Sequence, residues 1–155
     1  MNLTQGDAAP DFTAPTDSAG TATLSAMKGG AVIVYFYPKD NTPGCTTEAI
    51  AFRDLKKDFA EAGARVIGVS KDTVKKHDNF IAKHDLNFTL VSDQSGEICD
   101  AFGVWVEKNL YGRKYMGIER STFLIDKLGV IQDVWRKVRV KDHVEKVLDA
   151  AKALS

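Results

Sequence analysis

An α/β fold, with a central mixed β-sheet flanked by helices, is what three features of this 155-residue chain predict. Ala31 to Tyr37 is apolar on both faces and rich in β-branched and aromatic residues, the pattern of a central strand covered on both sides. Strand-like and helix-like segments alternate after it. Two late strands are joined by a short link containing glycine, which reads as a hairpin.

The elements follow in order. Residues 1–30 are rich in Ala, Thr, Asp, Gly and Pro and carry little periodicity; Phe12 and Leu24 are the expected anchors of this segment. The strand at Ala31–Tyr37 stops at Pro38 and gives way to a polar loop. A helix is expected from about Pro43 to Ala62, because Phe52, Leu55, Phe59 and Ala62 recur at spacings of three, four and three, with Gly63 as its stop. Arg65 to Ser70 reads as a second strand, Val74 to His84 as a helix, Phe88 to Val91 as a short strand, and Ser95 to Phe102 as a short helix. Ser121–Asp126 and Val130–Trp135 form the hairpin, and Val144, Val147, Leu148, Ala151 and Leu154 mark one face of a last helix. The order β-α-β-α-β, hairpin, helix fits a mixed sheet with helices on both faces, of which a thioredoxin-like layout is the leading version.

At roughly 150 residues per domain, residues 1–155 are expected to form one domain. Lys plus Arg number 21 and Asp plus Glu number 21, so the chain lacks the basic excess that nucleic-acid binding demands. No apolar run approaches the roughly 18 residues of a membrane span. The N-terminus has neither a basic start nor an apolar stretch, so no secretory signal is expected and the reducing cytoplasm is the default compartment. There, two cysteines are more often buried or reactive than bridged.

The segment Pro38-Lys-Asp-Asn-Thr-Pro-Gly-Cys-Thr-Thr-Glu48 is the most informative. Thr42 suits an N-cap and Pro43 the first helical position, which puts Cys45 in the first helical turn. Unpaired backbone N–H groups and the positive end of the helix dipole favour thiolate there, and a cysteine so placed can titrate at roughly 3.5–7.5 rather than about 8.5. Cys45, Glu48, Phe52, Leu55 and Phe59 share one stripe, so Cys45 and Glu48 are expected at the edge of a pocket beside the C-terminal end of the central strand. The plainer reading is a small buried cysteine at a helix start, with a capping threonine and a surface glutamate.

PKDNTPGCTTEA resembles the active-site loop of peroxiredoxins, in the bacterioferritin comigratory protein or PrxQ subgroup, with Pro38, Thr42 and Cys45 in register. APDFTAPTDSAG, VIGVSKD, FTLVSD, FGVW, YGRKYMGIERSTFLID and VRVKDHVEKVL resemble the same subgroup, in order, over nearly the whole chain. The resemblance implies that Cys45 is the nucleophile that attacks a hydroperoxide and becomes a sulfenic acid. Thr42 would hydrogen-bond the peroxide, Pro38 would shield the sulfur from water, and the Cys45 backbone N–H would help hold the peroxide oxygens. Arg120 would stabilise thiolate and developing oxyanion, and Glu48 would orient the polar network. Spacing alone says nothing about Arg120. No cofactor is implied, and the subgroup leans towards a monomer.

The sequence departs from the subgroup where a second cysteine usually reduces the sulfenic acid. Those positions hold Ile50 and Ile81. Cys99 is the remaining candidate, with a structural role beside Ile98 and Phe102 as the plainer reading. A one-cysteine cycle is therefore expected, with thioredoxin, glutaredoxin or a small thiol as reductant. A redox sensor or holdase without turnover, and a thiol transferase without peroxide specificity, are the competing functions.

Weaker signals point elsewhere. His77 and His84 read as core-edge histidines rather than metal ligands, and His143 stands alone; no metal site is expected. There is no CxxC and no P-loop. Lys137, Arg139 and Lys141 read as a solvated strand face, and GRKYMG as a flexible segment near a pocket or partner site.

Overall fold

The computed structural model describes residues 2–154. Its centre is a five-stranded sheet built from β3 (Ala31–Phe36), β4 (Ala64–Ser70), β5 (Thr89–Ser92), β8 (Ser121–Ile125) and β9 (Ile131–Trp135), in the order β5-β4-β3-β8-β9. β3 pairs parallel with β4 and antiparallel with β8, so the most apolar strand is central, as its composition predicts. The sheet is mixed, and the helices α1 (Pro43–Asp54), α2 (Lys56–Glu61), α3 (Val74–His84), α4 (Glu97–Ala101) and α5 (His143–Leu154) accompany it.

Successive residues of a strand point to opposite faces, and here each face has its own core. Val32, Val34 and Phe36 pack with Val69, Phe102, Phe123 and Cys99 on one side. Ile33, Tyr35 and Tyr37 pack with Cys45, Phe52, Phe59, Phe80 and Val147 on the other. Tyr35 stacks on Phe52 with ring centroids 4.5 Å apart. Removing a ring such as Phe52 costs on the order of 3–5 kcal/mol. Phe12 and Leu24 are buried in the first core, as anchors should be.

Three elements differ from expectation. The helix after the loop is broken at Leu55, whose φ of −100° and ψ of 7° are not helical. The Phe52 and Phe59 rings meet at 5.8 Å, whereas the seven intervening steps of an unbroken helix would rise about 10.5 Å. Burying both rings in one core therefore accompanies the bend. The N-terminal segment forms a small hairpin of β1 (Thr13–Pro15) and β2 (Thr21–Thr23). GRKYMG is not irregular: Gly112 belongs to a tight turn, and the rest lies in β7 (Arg113–Ile118), paired antiparallel with β6 (Trp105–Leu110). Tyr111 and Gly112 turn that hairpin with positive φ at both positions, the signature of a tight two-residue turn. Lys137, Arg139 and Lys141 lie beyond β9 in non-strand backbone. No helix among the described residues is long and apolar enough to cross a membrane.

Candidate active site

The register of the sheet assembles the site. Phe36, the last residue of β3, pairs with Ser121, the first of β8. The residue before Ser121 is Arg120, so Arg120 lies beside the point where the chain leaves β3 for α1. Two segments 75 residues apart in sequence thus meet at one end of the sheet.

Cys45 is the third residue of α1 and is only 1% exposed. Arg120 donates from Nη2 to the Cys45 Sγ at 3.3 Å and from Nη1 to Glu48 Oε1 at 2.7 Å. One guanidinium therefore bridges the sulfur and the carboxylate, which lie one helical turn apart on the same face. Gly44 eases this approach: a Cβ there would lie 3.2 Å from Arg120 Nη2, a tight contact. Thr46 N–H donates to the Thr42 carbonyl, which closes the first turn around Cys45.

Glu48 is fully buried. Burial pushes its carboxyl up to about 7, against the opposing pull of Arg120. Its Oε2 and the Tyr35 hydroxyl have no protein hydrogen-bond partner among the described residues. Burial also acts to lower the Arg120 titration, but the charges of Glu48 and the Cys45 sulfur outweigh it and raise it. The cation is therefore permanent.

The other expected residues are placed less simply. Thr42 precedes α1 as expected, but its hydroxyl caps no helical N–H; it donates to the Lys39 carbonyl at 2.8 Å. The loop's curvature, which brings Lys39 within reach, wins over capping. Pro38 is exposed at the start of the loop. Cys45 and Glu48, expected at a pocket edge, are both buried.

Cys99 belongs to the core on the opposite side of the sheet from Cys45. Its backbone N–H donates to Asp93 Oδ2 at 2.9 Å. Burial pushes its thiol far up, and the hydrogen bond to and charge of Asp93 push it further. Both cysteines are free. Ile50 and Ile81 lie on α1 and α3.

Sequence reasoning missed Lys108, on β6. Burial lowers its titration, Arg120's charge lowers it further, and the Cys45 sulfur opposes them, which makes it a second cation within the field of the site. Reading Trp105–Leu110 as a strand would have been the signal. His77 is wholly buried rather than at the core's edge. His143 opens α5 and shares a 2.8 Å hydrogen bond with the Thr122 hydroxyl; burial lowers it to about 4.

A buried sulfur held by a permanent cation at a helix start can act as a stabilised thiolate nucleophile, with the same cation ready to receive a developing oxyanion. Comparison with known proteins agrees with that chemistry. Residues 5–134 match the model of the AhpC/TSA family. Peroxiredoxin Bcp of Bacillus subtilis is 50% identical over 155 residues, covering 100% of this chain and 99% of that protein. A PrxQ mutant from Xylella fastidiosa superposes with a TM-score of 0.94 at 41% identity, covering 99% of this chain and 98% of that one. A Xanthomonas campestris bacterioferritin comigratory protein, solved in trapped intermediate and ligand complexes that address its alkyl peroxide reduction, superposes at 0.88 with 48% identity over 92% of this chain and 90% of that one.

Proposed function

The chain belongs to the AhpC/TSA family and is a thiol-dependent peroxidase, and from that premise we propose how its own residues carry the reaction. Cys45 is the nucleophile. Its thiolate attacks one oxygen of a hydroperoxide; an S–O bond forms, the O–O bond breaks, and the sulfur is oxidised by two electrons to a sulfenic acid. The departing hydroxide or alkoxide takes up a proton and leaves as water or alcohol.

The observation that carries this reading is the 3.3 Å hydrogen bond from Arg120 to Sγ. A fixed cation there stabilises the anionic sulfur before the reaction and the oxygen that becomes anionic during it. The Thr42 hydroxyl has its proton committed to the Lys39 carbonyl, so its lone pairs face an incoming peroxide O–H as acceptors. The Cys45 backbone N–H is the second oxygen donor. Pro38 shields the sulfur from water. Glu48 holds the guanidinium in line through Nη1.

A one-cysteine cycle follows. Neither Ile50 nor Ile81 supplies a thiol, and Cys99 lies on the far face of the sheet. An external thiol attacks the sulfenic sulfur, forms a mixed disulfide and releases water; a second thiol attacks that disulfide and restores Cys45. Thioredoxin, glutaredoxin or a small thiol is the reductant class, and residues 1–155 act as one domain, as a monomer, in the cytoplasm.

Mass spectrometry after one equivalent of hydrogen peroxide tests the cycle. A sulfenic acid at Cys45, or a mixed disulfide when thiol is added, supports it. An intramolecular Cys45–Cys99 disulfide refutes it.

A further inference from the structure

We infer that His77 is a positioning residue for the peroxide-binding loop: held on α3 as a buried imidazolium, it grips Asp40 and so fixes the turn that carries Pro38 and Thr42. The inference rests on the assignment of that loop to the peroxide site. Its own ground is geometric.

Both ring nitrogens of His77 face acceptors. Nδ1 lies 2.7 Å from Asp40 Oδ2, and Nε2 lies 2.9 Å from the Val91 carbonyl. A backbone carbonyl only accepts, so Nε2 carries a proton; Nδ1 faces a carboxylate oxygen, and when that carboxylate is ionised Nδ1 carries a proton as well, which makes the ring an imidazolium. The ring is 0% exposed and the Asp40 side chain 2%. Burial acts against the charged ring, but the hydrogen bond and charge of Asp40, the Val91 carbonyl and the charge of Asp72 outweigh it and raise its titration.

Asp40 is tied at three points. Its Oδ1 accepts from the Tyr37 hydroxyl at 2.6 Å, its Oδ2 faces His77, and its backbone N–H donates to Asp72 Oδ2 at 2.8 Å. Asp72 is fixed in turn by the Ser70 hydroxyl at 2.8 Å. Asp40, Asp72 and His77 are thus engaged by backbone groups, by the Tyr37 and Ser70 hydroxyls and, between Asp40 and His77, by each other, which makes the cluster a clamp. Asp40 lies midway between Pro38 and Thr42, and the next residue, Asn41, has a left-handed φ of 61°. A non-glycine residue stays in that region only when its surroundings hold it there. Tyr37, Asp40 and Asp72 are the titratable groups that face His77.

The sign of the pH dependence follows. An imidazolium whose titration is raised in the fold contributes fully below its ordinary value, and the contribution is lost as pH rises through the raised one. Once neutral, the ring must set a lone pair against either Asp40 or the Val91 carbonyl.

The test is the second-order rate of Cys45 oxidation by hydrogen peroxide, measured against pH by competition kinetics in wild type, His77→Gln, Asp40→Asn and the double variant. Each single change is expected to slow oxidation about tenfold at neutral pH, because a full ångström of misplacement can cost about 100-fold and loosening the loop shifts its groups by a fraction of that. The double variant should be no worse than about twofold beyond the slower single, since the pair acts as a unit. Wild type should lose rate on the alkaline side, and His77→Gln should lack that limb. Wild-type rate with the same alkaline limb in His77→Gln, or additive losses in the double variant, overturns the inference. Should the variants not fold, nitrogen NMR of the wild-type ring decides: two N–H protons at neutral pH support the clamp, and one overturns it. Wild type that consumes no peroxide at all would instead count against the loop assignment, and the NMR readout is independent of it.

Discussion

Two thiols in this chain occupy the same local position and face opposite electrostatic fates. Cys45 is the third residue of α1 and Cys99 the third residue of α4. Both are essentially out of water, at 1% and 0% exposure. The first meets a guanidinium 3.3 Å away. The second meets Asp93, whose carboxylate already takes the N–H groups of Ile98 and Cys99 and whose charge opposes a thiolate. A helix start is therefore not enough to make a reactive cysteine. The charge beside the sulfur separates the two, a guanidinium at Cys45 and a carboxylate at Cys99.

The widest gap should open when each thiol is removed. Cys45→Ser is expected to abolish peroxide turnover, while Cys99→Ser leaves the rate of the first oxidation within about twofold, as befits a site far from the chemistry. Stopped-flow oxidation of both variants checks this, and a large loss in the second would erase the distinction.

Next in size is the cation. Arg120→Leu should slow oxidation of Cys45 by about 100- to 1000-fold, the usual consequence of losing one preorganised donor to a developing oxyanion. Arg120→Lys should recover only part, because a single ammonium cannot bridge sulfur and carboxylate as the fork does.

Glu48 sharpens the contrast through pH. Its carboxyl is raised from an ordinary 4.5 to about 7. The unfolded chain therefore loses this proton first, and native stability falls as pH rises from the ordinary carboxyl range to about 7, then levels. The fall is at most about 3 kcal/mol, and Glu48→Gln should remove most of it. Urea unfolding on either side of that window measures both.

The smallest effect belongs to the inert thiol. Cys99→Ala should cost on the order of 1 kcal/mol in packing and leave the pH–rate profile unchanged. Thermal unfolding gives the first and peroxide kinetics the second.

The central strand, the third helix and the loop at residues 38–48 were legible because each signal is local. An apolar run, a 3.6-residue period, and a proline placed two residues before the reactive cysteine need no tertiary knowledge. Arg120 was legible only through family resemblance, since its link to Cys45 is created by the pairing of Phe36 with Ser121. The Asp40–His77 pair was not legible at all: a histidine among apolar neighbours looks like core until its carboxylate is seen to come from another loop. The β6–β7 hairpin escaped for a different reason. Its strands carry charges on both faces, so no alternation advertises them, and the helix break at Leu55 leaves no glycine or proline behind.

Gly44 leaves room for the close approach of Arg120. A Cβ at this position, next to Cys45 in the chain, would lie 3.2 Å from Arg120 Nη2. An added methyl group there would ask the guanidinium to yield by a few tenths of an ångström, so the smallest residue in the loop helps set how closely the positive charge can sit to the sulfur.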